Sequence, residues 1–148
     1  MQQLSDQARA SFKPCFSKFV NNFEVQDYVI SGDLSQKDVS DAVAVLEKAN
    51  MPCGHETALK AVTALRLRTT AKPEHSNDIA AMVALYVDDM ADYPEDVVIE
   101  ACRSLARSNK WFPTWAELYE ALEWRVRKRR LMLEAMISHA ERSLNGEK

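Results

Sequence analysis

The stretch YPEDVVIEACRSLARSNKWFPTWAELYEAL, Tyr93 to Leu122, decides the fold class. Pro94 stands where a first helical position belongs, because its fixed φ suits a helix start and its missing N–H is one the helix would leave unbonded. Val97, Val98, Ala101 and Leu105 then recur at three- and four-residue spacing, which predicts a helix from Pro94 to about Ser108 with these residues buried. Lys110-Trp111-Phe112-Pro113 interrupts the pattern as a turn in which Trp111 and Phe112 are expected to plug the end of a bundle. Thr114 followed by Glu117 is a capping box, two side chains that each bond the other residue's backbone N–H, so a second helix starts there. No alternating apolar–polar run competes with this reading, and the expected class is all-α.

Toward the C-terminus, Trp115, Leu118, Leu122, Val126, Leu133, Met136, Ile137 and Ala140 keep the helical period. They allow one helix of about 29 residues, near 43 Å at ~1.5 Å per residue. The stripe has a gap at Arg129 and Arg130, where a bend is equally allowed. Toward the N-terminus, Ile79, Met82, Val83, Tyr86 and Met90 mark a helix capped by Ser76 or Asn77, and Pro73 breaks the chain before it. A helix from about His55 to Arg68 is expected to bury Leu59, Ala61, Val62 and Leu65. Ahead of it lie the turn NMPCG and a helix that opens on the Ser35/Asp38 capping box and buries Val39, Ala42, Val43 and Leu46. Phe12, Phe16, Phe19 and Phe23 complete the set as the stripe of a first helix, packed in the core. The expectation is a single compact bundle of about five or six helices with a long C-terminal helix. One domain spans 1–142, subdivided if at all into 1–70 and 76–142, and 143–148 is a frayed tail.

Composition agrees, since 47% hydrophobic and 28% charged residues in 148 are those of an ordinary globular chain, and only 3 Gly and 5 Pro occur. Cys15, Cys53 and Cys102 are odd in number and form no CxxC pair, so no disulfide framework is expected and a reducing compartment fits. The first residues lack a signal peptide's basic and apolar regions, and no apolar run approaches the ~20 residues of a membrane span. A cytoplasmic protein away from membranes is expected.

Glycines stand only at 32, 54 and 146, so neither a phosphate-binding Walker loop nor GxGxxG can be written. His55-Glu56 begins like HExxH, but Leu59 occupies the second histidine's place. Cys53, His55, Glu56, His75, Cys102 and His139 have no recognised zinc spacing. No cysteine is paired by spacing with a histidine base. The chain is therefore expected to be no enzyme and to hold no metal or cofactor.

Charge is polarised along the C-terminal half. The segment 73–100 holds acidic residues and no Lys or Arg, whereas 103–130 is dominated by basic ones. Asp88, Asp89, Asp92, Glu95 and Asp96 form an acidic surface that can hold Mg²⁺ in principle; the ordinary reading is a solvated face, favourable at a helix start. Arg125, Arg127, Lys128, Arg129 and Arg130 form a basic surface that is solvated, meets a protein partner, or meets nucleic acid. The net charge of −3 confines any nucleic-acid contact to such a local patch. Trp124 lies off the apolar stripe. Packing against the first helix is the usual fate of such a ring, whereas an exposed tryptophan beside arginines anchors a protein interface or stacks on a base.

Tyr93-Pro94, Val97-Val98, Ala101, Lys110-Trp111-Phe112-Pro113-Thr114 and Glu117-Leu118 together resemble the helical module of small bacteriophage and prophage replication proteins, the helicase loaders and replisome organisers. The resemblance is close over 93–122 and looser over about 80 residues. ALKAVTALRLRTT and RVRKRRLMLEAM are similar to segments of proteobacterial prophage proteins. In helicase loaders the module lies near the N-terminus; here about 90 residues precede it, so an adaptor is expected rather than a loader. The resemblance implies a non-enzymatic protein of DNA replication in a bacterial host cell, binding a replication protein such as a replicative helicase. Two further readings are an anti-CRISPR-like inhibitor of a host defence nuclease, with the acidic surface imitating DNA, and a small DNA-binding protein using the basic helix 124–130. The oligomeric state is not set by these features.

Overall fold

A computed structural model describes residues 4–16 and 25–145. Its elements are α1 (Asp6–Ser11), β1 (Phe12–Phe16), β2 (Val25–Ile30), α2 (Gln36–Ala49), α3 (His55–Arg68), α4 (Ile79–Met90), α5 (Glu95–Ser108) and α6 (Trp115–Leu144). A single 3₁₀ turn, Pro73–His75, precedes α4. The protein is mostly α, with a long C-terminal helix and one small two-stranded sheet. Contacts divide the chain into two compact units, one of Met1–Asn50 with Arg127–Lys148 and one of Met51–Val126. Among the described residues no helix is long and apolar enough to cross a membrane.

In the unit Met51–Val126, α3 and α5 lie side by side and run in the same direction. Backbone bonds tie their starts, from Cys53 N–H to the Tyr93 carbonyl at 2.8 Å and from Gly54 N–H to that of Ala91 at 3.1 Å. Others tie their ends, from Thr70 N–H to the Lys110 carbonyl and from Phe112 N–H to that of Thr70, both at 2.9 Å. Gly54, the N-cap of α3, has φ +85°, a left-handed conformation that favours glycine. Behind the pair, Val62, Leu65, Val87, Met90, Val98, Leu118, Leu122 and Val126 are almost wholly buried. Each such side chain contributes roughly 1.5–3 kcal/mol. Tyr86 stacks on Phe112 at 5.5 Å and sits 5.5 Å from Trp115, while its hydroxyl donates to the Pro113 carbonyl at 3.0 Å.

Several expectations change here. On α3 the buried set is Ala58, Val62 and Leu65, and Leu59 is 43% exposed. Position 59 lies about 100° round the helix from 58, so the small Ala58 takes the inner place against its neighbours. The cap of α4 is Asp78 rather than Ser76 or Asn77. The 3₁₀ turn draws in this segment first, with Ser76 N–H bonded to the Pro73 carbonyl and Asp78 N–H to that of His75.

The other unit departs from the expected first helix. Phe12 begins a strand, not the middle of a helix, and β1 pairs antiparallel with β2 in the register Phe12↔Ile30 and Pro14↔Tyr28. Pro14 explains why, because it lacks the N–H that a helix interior needs and drives the residue before it toward extended geometry. Phe12 packs edge-on to Tyr28 at 5.6 Å, an aromatic cross-strand contact. Phe19 and Phe23 lie outside the described residues. The unit's core joins Leu4, Ala8, Phe12, Tyr28, Ile30, Val39, Ala42 and Leu46 to Ala135 and Met136 of α6. Ser35 caps α2 as expected, accepting from Asp38 N–H at 3.0 Å.

Candidate functional site

The candidate surface is built on α6, whose phase is set by its first turn. Glu117 N–H donates to Thr114 Oγ1 at 3.3 Å and Thr114 N–H returns to Glu117 Oε1 at 3.2 Å, completing the expected box. Asn109 Nδ2 adds a bond to Glu117 Oε2 at 2.9 Å. The Thr114 N–H above all, with the Thr114 hydroxyl, the Asn109 amide and the charge of Lys72, holds the Glu117 carboxyl below the usual glutamate range. With this phase Leu118, Leu122 and Val126 point inward. Trp124, two residues beyond Leu122, lies about 200° round the helix and points away from them.

Trp124 is 66% exposed, so it does not pack into the core as such a ring usually does. The Arg125 guanidinium lies 4.2 Å above the ring, and its Nη1 donates to the Ala121 carbonyl at 2.6 Å. Arg125 is thereby held over the indole rather than extended into solvent. Beside them an open groove of about 320 Å³ runs between α5 and α6, lined by Ser104, Leu105, Glu117, Glu120, Trp124 and Arg125. The groove offers a large amphipathic ring, an oriented cation and the Glu120 carboxylate, beside the Glu117 carboxylate already bonded to Thr114 and Asn109.

The remaining basic residues of the expected patch belong to the other unit. Arg127 and Lys128 are exposed. Arg129 is half-buried and donates from Nη1 to the Ala49 carbonyl at 3.0 Å, so it closes the C-terminal end of α2. Arg130 is half-buried as well. Upstream, Phe112 plugs the core as expected, but Trp111 remains 38% exposed with Lys110 Nζ 5.0 Å over its ring. Trp115 is half-buried against the core.

Asp88, Asp89, Asp92, Glu95 and Asp96 are all exposed. Asp88 faces His55 at 3.6 Å. Because α3 and α5 start side by side, Glu56, Glu95 and Asp96 in their first turns meet the positive ends of two aligned helix dipoles, a structural reason for acidic residues there. Among the described residues no three His, Cys, Asp or Glu side chains cluster as a metal site. Burial pushes the Cys102 thiol up to about 12 and also raises that of Cys53, so neither supplies thiolate near neutral pH.

A further basic cluster joins two helices. Arg68 at the end of α3 and Arg103 and Arg107 on α5 surround an open cleft of about 440 Å³, with Ala106 the other lining residue. The i, i+4 spacing of Arg103 and Arg107 is a visible signal, but Arg68 joins them through the packing of α3 beside α5, tied at this end by the pairing of residue 70 with 110–112. Compared with family models, curated proteins and solved structures, the chain matches none.

Proposed function

We propose that the protein is a non-enzymatic adaptor of the phage or prophage replication type, which binds a replication protein such as a replicative helicase. The observation that carries the reading is Trp124, two-thirds exposed beneath an arginine fixed at 2.6 Å to the backbone of its own helix. A large ring left in water and pre-oriented by a cation is the kind of anchor on which interface energy concentrates. The residues that carry the family resemblance support it from another side. Val97, Val98, Ala101, Phe112 and Leu118 are buried, and Thr114 with Glu117 caps α6, so the module acts as the scaffold that displays Trp124. The partner's complementary surface carries an apolar or aromatic side chain for the indole and a Lys or Arg for Glu120.

The test is binding of the purified chain to a purified bacterial replicative helicase, primase and initiator, by calorimetry or interferometry. Micromolar or tighter binding to one of them, weakened about 30-fold or more by Trp124→Ala, is the expected result. Absence of binding to all three overturns the replication reading. Binding that survives Trp124→Ala unchanged removes this surface from it.

A further inference from the structure

We propose that the Arg68, Arg103 and Arg107 cleft of the unit Met51–Val126 is a phosphate-binding track for single-stranded nucleic acid, a function separate from the Trp124 surface. Three guanidinium groups from two helices line one open cavity of about 440 Å³ that no carboxylate lines. Arginine's planar fork matches phosphate oxygens two at a time, which makes such convergence more suited to phosphate than three lysines would be. The cavity continues into a second of about 320 Å³ between α3 and α5 that shares Arg68 and Arg103 and adds Lys60. Its floor is Ala61, Ala64, Leu65, Ile99 and Cys102, and its one carboxylate, Glu95, lies at the far end. From Lys60 to Arg68 the track runs about 12 Å along α3, the reach of about three phosphates of one extended strand.

Three opposing effects are smaller than the charge assembled, the first being Glu56, which pairs with Lys60 at 3.2 Å as an exposed i, i+4 contact. Glu100 approaches Arg103 at 3.6 Å, an exposed i, i+3 pair that solvent screens. The C-terminal ends of α3 and α5 carry about half a negative charge each, so the three arginines exceed Glu100 and both dipoles together by roughly one positive charge. Helix-end compensation alone accounts for Arg107 and Arg68 in last turns, but not for Arg103, more than a turn inside α5.

Single strands are favoured over duplex by the shape and by an aromatic ring. The track is a groove between two packed helices, whose axes lie ~8–10 Å apart, too narrow to admit a duplex but open to one backbone. Past its basic end the Thr70–Trp111 bridge places Trp111, 38% exposed, opposite a residue two positions beyond Arg68, and a base stacking on that ring would take the place of the Lys110 ammonium 5.0 Å over it.

The experiment uses the full chain and fluorescent 20-nucleotide oligomers, single-stranded and duplex, in anisotropy titrations between 50 and 200 mM salt. Single-strand affinity is expected to fall about 20-fold across that range, as three phosphate contacts require. Arg68→Gln, Arg103→Gln and Arg107→Gln combined should weaken binding at least 10-fold and flatten the salt slope, with an unchanged circular dichroism spectrum because all three residues are exposed. Trp111→Leu should weaken binding several-fold with the slope retained, and Trp124→Ala should leave both unchanged. No binding at 50 mM salt overturns the proposal, as does a triple variant that binds like the wild type. Duplex bound as tightly as single strand overturns the assignment to single strands. Failure of the helicase test with success here, or the reverse, separates this inference from the adaptor reading.

Discussion

Replacing Tyr86 by Phe removes one oxygen atom from the middle of the unit Met51–Val126. The ring contacts with Phe112 and Trp115 stay, and what is lost is the 3.0 Å bond to the Pro113 carbonyl. Pro113 is itself buried, so its carbonyl is left without a donor. An orphaned buried acceptor costs about 1–3 kcal/mol, and with ring packing preserved the expected loss is about 2 kcal/mol. At roughly 2–4 °C per kcal/mol for a chain of this size, the melting temperature should fall by about 6 °C. Urea unfolding followed by tryptophan fluorescence gives the same quantity as a shifted midpoint with unchanged slope, since Trp115 adjoins the ring. The pH dependence adds a second check. Burial first, and the Glu117 charge second, raise the Tyr86 pKa. The folded phenol thus stays neutral after the unfolded one ionises. The wild type's advantage over Tyr86→Phe is fully present below about pH 10 and is lost as pH rises through the raised folded value. A variant within about 0.3 kcal/mol of the wild type at pH 7 would show that the Pro113 carbonyl is not sealed from water and would refute the reasoning.

Glu117 has a depressed folded pKa, so the stability gap between wild type and Glu117→Gln should be full above about pH 4.3 and close as pH falls below it, read by melting temperature from pH 7 to 3. Arg129→Ala should cost roughly 1–2 kcal/mol by removing the donor to the Ala49 carbonyl, whereas the exposed Arg127→Ala should stay within about 0.5 kcal/mol in denaturant unfolding. Gly54→Ala should cost about 1–2 kcal/mol from backbone strain alone, because a methyl there meets nothing within 4 Å; a thermal melt unchanged from wild type would contradict the φ of +85°.

What was legible in the sequence was punctuated locally. Ser35 with Asp38, Pro94, and Thr114 with Glu117 each announce a helix within a few residues, and α2, α5 and α6 start where those signals stand, to within one residue. The sheet was not legible, because the spacing of Phe12, Phe16, Phe19 and Phe23 imitates a helical stripe and the pairing of Phe12 with Ile30 spans seventeen intervening positions. Hydrophobicity alone puts Leu59 inside, although Ala58 fits the close approach better. At the candidate site, the sequence points to Trp124 and Arg125, but the exposure of the ring follows from the helix phase that Thr114 and Glu117 set. The arginine cleft needed a bond between residues 70 and 110, forty positions apart, and no local pattern carries such information.

The division of the chain has a consequence for its synthesis. The unit Met51–Val126 is one continuous segment, able to assemble once it has left the ribosome. The other unit holds Leu46 and Val39 from one end of that segment and Ala135 and Met136 from beyond its far side. At roughly 5–20 residues per second, the intervening stretch takes about 4–15 s to translate, far longer than a helix needs to form. During that interval α2 and the β1–β2 hairpin have emerged without the part of α6 that covers them, so their apolar faces wait in solvent. The order of assembly is thus written into the connectivity, middle before ends, and slowing translation across residues 51–126 should extend the exposure of the first fifty residues to proteases and chaperones more than that of any later segment.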